Sequence, residues 1–170
     1  SLLRALTKKE HIIVEDKLFS TLDTRLGKLY FPDPAAQAGT PPILISDTIG
    51  FLKNLPPVLF KTFLATLEEV TESDLILHVI DASDPKMEEK IMVVGDVLEK
   101  LGSGRKRQIL VFNKIDVVSQ EKLHAIRAQL SERTAAVPSV FVSALTKENL
   151  NGLRELIRRT LFAYTGAQAL

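Results

Sequence analysis

The chain has 170 residues, 45% apolar and 25% charged, and its 22 Lys and Arg against 21 Asp and Glu leave a formal net charge of +1. Such a length is expected to form one domain that buries about two-thirds of the surface exposed in the unfolded chain. The charge balance gives no electrostatic argument for nucleic acid or an acidic membrane, the absence of Cys excludes disulfides and thiolate metal sites, and no apolar stretch approaches the roughly 18 residues of a membrane span.

The opening, SLLRALTKKE, places Leu2, Leu3 and Leu6 at helical spacing from the first residue. Residues 8–24 read as a polar loop around an isolated LFSTLD, and Arg25 to Phe31 alternates apolar and polar like a half-buried strand, expected as an antiparallel edge. PDPAAQAGTPP (32–42) is turn-rich and reads as a surface insertion. ILIS (43–46) is a continuous apolar run, the mark of a strand buried on both faces. A helix is expected at about 56–72, with Pro56 and Pro57 in its first turn and Leu59, Phe63, Leu67 and Val70 in one stripe.

DLILHVID (74–81) is the next expected buried strand, followed by a helix over 86–101 through Ile91, Val94, Leu98 and Leu101, stopped by Gly102. QILVFNK (108–114) reads as a third buried strand, 119–134 as a helix on Leu123, Ile126 and Leu130, and SVFVSA (139–144) as a fourth strand. A closing helix is expected over about 147–164 along Leu150, Leu153, Leu156, Ile157 and Leu161. The basic run Arg105-Lys106-Arg107 reads as a solvated turn rather than a binding patch, His78 as a structural histidine, and Glu68 and Glu69 as surface or switch-region charges. Buried strands alternating with amphipathic helices imply a three-layer α/β domain with a mostly parallel sheet.

Ligands of such sheets bind beyond the carboxyl ends of the strands. There the sequence offers Asp47-Thr48-Ile49-Gly50 after 43–46, Asn113-Lys114-Ile115-Asp116 after the third buried strand, and Ser143-Ala144-Leu145 after the fourth. D-x-x-G and S-A-L are each weak signals, but N-K-x-D would arise by chance in only about 2% of such chains, and the ordered set is far rarer. Taken separately, Asp47, Asn113 and Asp116 could also be turn and helix-cap residues.

The combination resembles the G domain of P-loop GTPases. That resemblance implies GTP or GDP as ligand and Mg2+ as cofactor. Guanine presents two adjacent donors, N1–H and the amino group, that the Asp116 carboxylate would accept; adenine has no such pair and would leave a buried acceptor unmet. Lys114 would lay its methylene stem over the base, Asn113 would tie neighbouring loops, and backbone amides around Ser143 and Ala144 would donate to the guanine O6. Asp47 would reach Mg2+ through water, and Gly50 would let backbone approach the γ-phosphate.

The block DTIGFLKNLPPVLFKTFLATLEEVTESDLILHVIDASDP (47–85), with DKLFSTLDT (16–24), narrows the likeness: it resembles the HflX family of ribosome-associated GTPases. Obg-like and Era-like GTPases fit the general boxes but not this block. The resemblance implies that residues 1–165 are a G domain with a short tail at 166–170, that Thr21 (or the nearby Thr24) is the switch I threonine on Mg2+, and that the large ribosomal subunit is the partner. It also implies a cytoplasmic location, or a mitochondrial or plastid matrix. Phe51 stands where Ras-type GTPases carry the water-orienting glutamine. A phenyl ring makes no such hydrogen bonds, so slow intrinsic hydrolysis is expected and the catalytic residue is unassigned.

No G-x-x-x-x-G-K-[ST] string occurs in these 170 residues. In the family that phosphate loop runs directly into text matched by SLLRALT, so the loop and the strand before it are expected upstream of Ser1. Ser1 then follows the magnesium-binding hydroxyl residue or is that residue itself. The competing readings are a nucleotide-independent docking module derived from a G domain and an unrelated α/β fold such as a receiver domain or nucleotide kinase. Residues 1–170 by themselves, without the loop's lysine and amide nest, are expected to bind GTP poorly. Equilibrium titration checks this, and micromolar affinity in a soluble monomer of 1–170 would refute it.

Overall fold

The computed structural model describes residues 1–7, 12–15, 24–31, 42–47, 68–133 and 137–162. Residues 32–41 of the expected insertion at 32–42, residues 56–67 of the expected helix at 56–72 and the tail at 166–170 lie outside the described residues. The chain divides into two compact units, Ser1–Glu69 and Val70–Leu170, which are described in turn.

In the first unit, helix α1 (Leu2–Leu6) buries Leu2, Leu3 and Leu6. It stops at Thr7, whose extended backbone (φ −98°, ψ 135°) leaves the helix while its N–H and hydroxyl both donate to the Leu3 carbonyl, at 2.9 and 2.8 Å. The unit's sheet has the order β1-β2-β3, with β1 Ile12–Glu15, β2 Thr24–Leu29 and β3 Ile43–Asp47, antiparallel throughout. Helix α1 packs on β2, and Gly27 is what lets it approach. A Cβ at Gly27 would stand 2.7 Å from both Leu3 Cδ1 and Thr7 Cγ2, inside van der Waals contact.

Three expectations change here. Residues 12–15, read as loop, form β1; Ile12, Ile13 and Val14 are a β-branched run that favours strand. That makes β2 the middle strand of its sheet, antiparallel as expected but not an edge. Strand β3 is not buried on both faces either: its exposure alternates, and Leu44 is 62% exposed. A continuous apolar run records the chemistry of both faces, but only the neighbours decide which face is covered.

A short helix, α2 (Glu68–Glu72), joins the two units in sequence. The second unit holds a parallel sheet, β4 (Ile76–Asp81), β5 (Gln108–Asn113) and β6 (Ser139–Phe141), in that order. Helix α3 (Met87–Lys100) connects β4 to β5, α4 (Gln120–Arg133) connects β5 to β6, and α5 (Leu150–Phe162) follows β6. Strand β5 lies in the middle, and Ile109, Leu110, Val111 and Phe112 are all buried, so both its faces are covered as expected. Strand β4 is less enclosed than expected, with Val79 48% exposed.

Phe112 stacks on Phe141 with ring centroids 4.8 Å apart, and the Arg127 guanidinium sits 4.7 Å above the Phe141 ring. Around them Ile80, Met87, Leu110, Ile115, Leu123 and Ile126 close one core. Helix α3 ends as its glycine predicts: Gly102 takes φ +67°, and Ser103 N–H reaches back to the Leu98 carbonyl at 2.8 Å. The basic turn before β5 is put to structural use. Lys106 Nζ donates to the Ser73 carbonyl at 2.7 Å, and Arg107 Nη1 donates to the carbonyls of Thr160 and Leu161 at the end of α5.

His78 sits half-buried in the middle of β4, and burial lowers its pKa from 6.5 to about 4. The folded state therefore favours the neutral ring. Its contribution is complete above the unfolded value of 6.5 and is lost as the pH falls toward 4. Replacing His78 with Leu should remove this part of the acid sensitivity, which amounts to roughly 2–3 kcal/mol between those limits. Urea unfolding of both proteins from pH 7 to pH 4 checks it; parallel stability curves would contradict it.

Candidate nucleotide-binding site

Parallel strands bring their carboxyl ends to one side, and in the second unit three loops meet there. Asn113 is the last residue of β5. Its Oδ1 accepts from the Lys114 N–H and from the Ala144 N–H, each at 2.9 Å, which ties the loop after β5 to the loop after β6. The Asn113 carbonyl accepts from the Ala82 N–H at 2.9 Å and so ties in the loop after β4. One residue thereby sets the spacing of all three loops.

Lys114 follows in the left-handed region at φ 67°, a conformation that costs a residue with a Cβ about 1–2 kcal/mol. The cost is met by its neighbours. Its N–H is held by Asn113, its carbonyl accepts from the Val117 N–H, and the next residue, Ile115, is buried beneath a short 3-10 turn, Ile115–Val117. The turn carries Asp116 exposed at the mouth of the loops.

The loop after β6 is equally constrained. Ser143 is fully buried; its N–H donates to the Glu148 carbonyl at 3.2 Å and its Oγ accepts from the Thr146 N–H at 3.0 Å. Asn149, at φ 53°, donates from Nδ2 to the Phe141 carbonyl. The amides expected to face a guanine O6 are therefore already engaged, Ser143 with Glu148 and Ala144 with Asn113. A base oxygen arriving there has to share the Ala144 N–H with Asn113 or displace it.

Sequence reasoning gave no role to the last residue of β4. Asp81 Oδ2 is 2.5 Å from Lys114 Nζ, while its Oδ1 accepts from the Ser83 N–H at 3.0 Å and the Ser83 hydroxyl at 2.5 Å. Lys122 Nζ, from α4, donates to the Ser83 carbonyl at 3.3 Å. Partial desolvation pushes the Asp81 pKa up, but the hydrogen bonds from Lys114 and Ser83 outweigh it and hold the carboxyl below its ordinary value. The same bond and the carboxylate charge raise Lys114. An acid at the carboxyl end of the strand beside N-K-x-D was the available signal.

The structure thus brings Asn113, Lys114, Asp116, Ser143 and Ala144 together, with Asp81 and Ser83 beside them. Asp47 closes β3 in the other unit, half-buried and in register with Arg25. Thr21, Gly50 and Phe51 lie outside the described residues, as does the Thr24 side chain. The Asp47 carboxylate is a hard oxygen donor that suits Mg2+ held through water. Among the described residues no group of three or more His, Cys, Asp or Glu could hold a metal by itself.

A family profile described as 50S ribosome-binding GTPase matches residues 1–114. The GTPase HflX of Caldanaerobacter subterraneus subsp. tengcongensis is 40% identical over 97% of this chain and 34% of its own length, and that of Magnetococcus marinus 37% identical over 95% and 34%. The chain belongs to the HflX family of GTPases. It spans about a third of the length of these HflX relatives. A crystal structure of Aquifex aeolicus Era bound to GDP and AlF4− superposes with a TM-score of 0.64 at 26% identity, covering 94% of this chain and 52% of that one. The fold is therefore that of the P-loop GTPases.

In this HflX-family chain, truncating Asn113 to Ala should release the Lys114 and Ala144 amides. Their hydrogen exchange should rise roughly five- to tenfold, the factor matching the loss of one ordinary hydrogen bond. The Val142 N–H, which donates to the Phe112 carbonyl at 2.8 Å, should stay protected. Amide exchange by NMR reads all three; unchanged rates at Ala144 would show that Asn113 does not hold the loop.

Proposed function

We propose that this chain supplies the base-reading and switch portion of a GTP-hydrolysing switch protein that works on the large ribosomal subunit. The observation that carries the reading is the double acceptance at Asn113. It holds the Asp116 turn and the Ser143–Ala144 loop next to each other at the carboxyl ends of β5 and β6. A carboxylate on one loop and backbone amides on the other match guanine, which offers two donors on one edge and a carbonyl oxygen beside them.

In this reading Asp116 accepts from guanine N1–H and the amino group, and Lys114 covers the base with its stem. The Ala144 N–H is shared between Asn113 and O6. Thr21 and, through water, Asp47 would hold Mg2+, which when bound neutralises charge on the phosphates. Gly50 admits backbone to the γ-phosphate, so switch I and switch II are ordered by GTP and released by hydrolysis. With Phe51 in place of a water-orienting side chain, another group or a partner aligns the water. The large-subunit role is supported by the description of the matching family profile. A second Era structure, solved with MgGDPNP and nucleotides of 16S ribosomal RNA, the small-subunit RNA, at TM-score 0.66 and 26% identity, supports ribosome association in general.

The test is nucleotide preference in the intact gene product. Asp116→Asn should weaken GDP binding at least about a hundredfold, because the variant faces a donor with a donor. It should gain affinity for xanthosine diphosphate, whose C2 carbonyl suits the new amide. Fluorescent-nucleotide titration reads both. An unchanged guanine preference would overturn the assignment of Asp116, and no nucleotide binding by the unsubstituted protein would favour a docking module.

A further inference from the structure

We propose that Asp81 is a positioning residue for nucleotide binding, fixing the Lys114 ammonium over the end of β4 so that the lysine stem forms a preset shelf for the base. The proposal rests on the guanine-site reading above and names a residue that reading does not use.

The geometry has three parts. Lys114 is anchored at its backbone, immediately past β5, by the left-handed turn and the Asn113 bond. Its Nζ is anchored on Asp81 Oδ2, one strand away, because Asp81 and Asn113 are register partners at the ends of β4 and β5. The four methylenes between these anchors therefore run across the mouth of two adjacent strands. With both ends held, the side chain remains 57% exposed, so the shelf is open on its outer face.

The carboxylate is itself immobilised. Ser83 occupies Oδ1 with two donors, and Lys122 holds the Ser83 carbonyl from α4, so Asp81 cannot swing away without breaking several bonds. An exposed ion pair of this kind adds little to stability. Its effect is on freedom: a lysine has many rotamers to lose on binding, and one pinned beforehand has fewer. Asp81 thus acts on the nucleotide only through Lys114.

That dependence gives the test, a double-mutant cycle on the intact gene product with fluorescent GDP as the probe. Asp81→Asn should raise the Kd up to about tenfold, the scale of immobilising one long side chain on binding. In a Lys114→Met background, which keeps an apolar stem but has no ammonium, the same substitution should change the Kd less than about twofold. Equal effects in both backgrounds would mean that Asp81 supports the loop generally and would overturn the proposal. No effect in either background, or tighter binding with Asp81→Asn, would overturn it as well. Asp81→Glu should restore part of the affinity, and thermal unfolding identifies any variant that fails to fold. Asp116→Asn run in parallel separates the two claims. If it loses guanine preference while Asp81→Asn is silent, the site stands and the positioning role falls; if it keeps that preference, the site reading has failed first.

Discussion

The Asn113 carboxamide oxygen accepts from two backbone amides, one on the adjacent residue and one 31 positions away. The rest of the second unit is arranged so that this can happen. Strand β5 has to be the middle strand, buried on both faces, for its last residue to sit between two loops. The Phe112–Phe141 stack keeps β5 and β6 in register one step before the loops begin. Ile115, buried directly after the strained Lys114, prevents the turn from relaxing into an ordinary extended exit. Apolar packing thus supplies the rigidity, and a single side-chain acceptor converts it into a fixed separation between polar loops.

The first unit solves a different problem with a different device. Helix α1 is only five residues long, too short to be stable unless packed. Its three leucines are buried, and its close seat on β2 depends on the missing side chain at Gly27. Strand β3 then delivers Asp47 at its end through register with β2. Asp47, proposed above for Mg2+, is thus at the terminus of a strand held in register by its neighbour β2.

How much of this could be read beforehand varied with the physics. The N-K-x-D and S-A-L segments stood out because their ordered occurrence after buried strands is rare, and Asn113, Lys114, Asp116, Ser143 and Ala144 do come together at the carboxyl ends of β5 and β6. QILVFN was legible because both faces of β5 are covered. ILIS has the same pattern, yet exposes Leu44, since covering depends on neighbours that a local pattern does not contain. HIIVE was hidden among charged residues, although its β-branched run is what pairs with β2. Asp81 escaped notice because its meaning is relational: it is an ordinary strand-end acid until Lys114 turns left-handed and reaches across the sheet. The prior engagement of the Ser143 and Ala144 amides was likewise a matter of three-dimensional competition, invisible to residue type.

The basic turn at Arg105-Lys106-Arg107 has a consequence for how a polyanion would meet this protein. Lys106 already spends its ammonium on the Ser73 carbonyl, and Arg107 spends one guanidinium nitrogen on the end of α5, while exposed Arg105 makes no such bond among the described residues. A nucleic acid drawn to the turn would compete with the protein's own carbonyls for two of its three charges, and could release few counterions in return. What resembles an electrostatic landing strip in one dimension is, in three, a pair of latches, one on Ser73 and one on the end of α5, and both would have to loosen before the strip could be used.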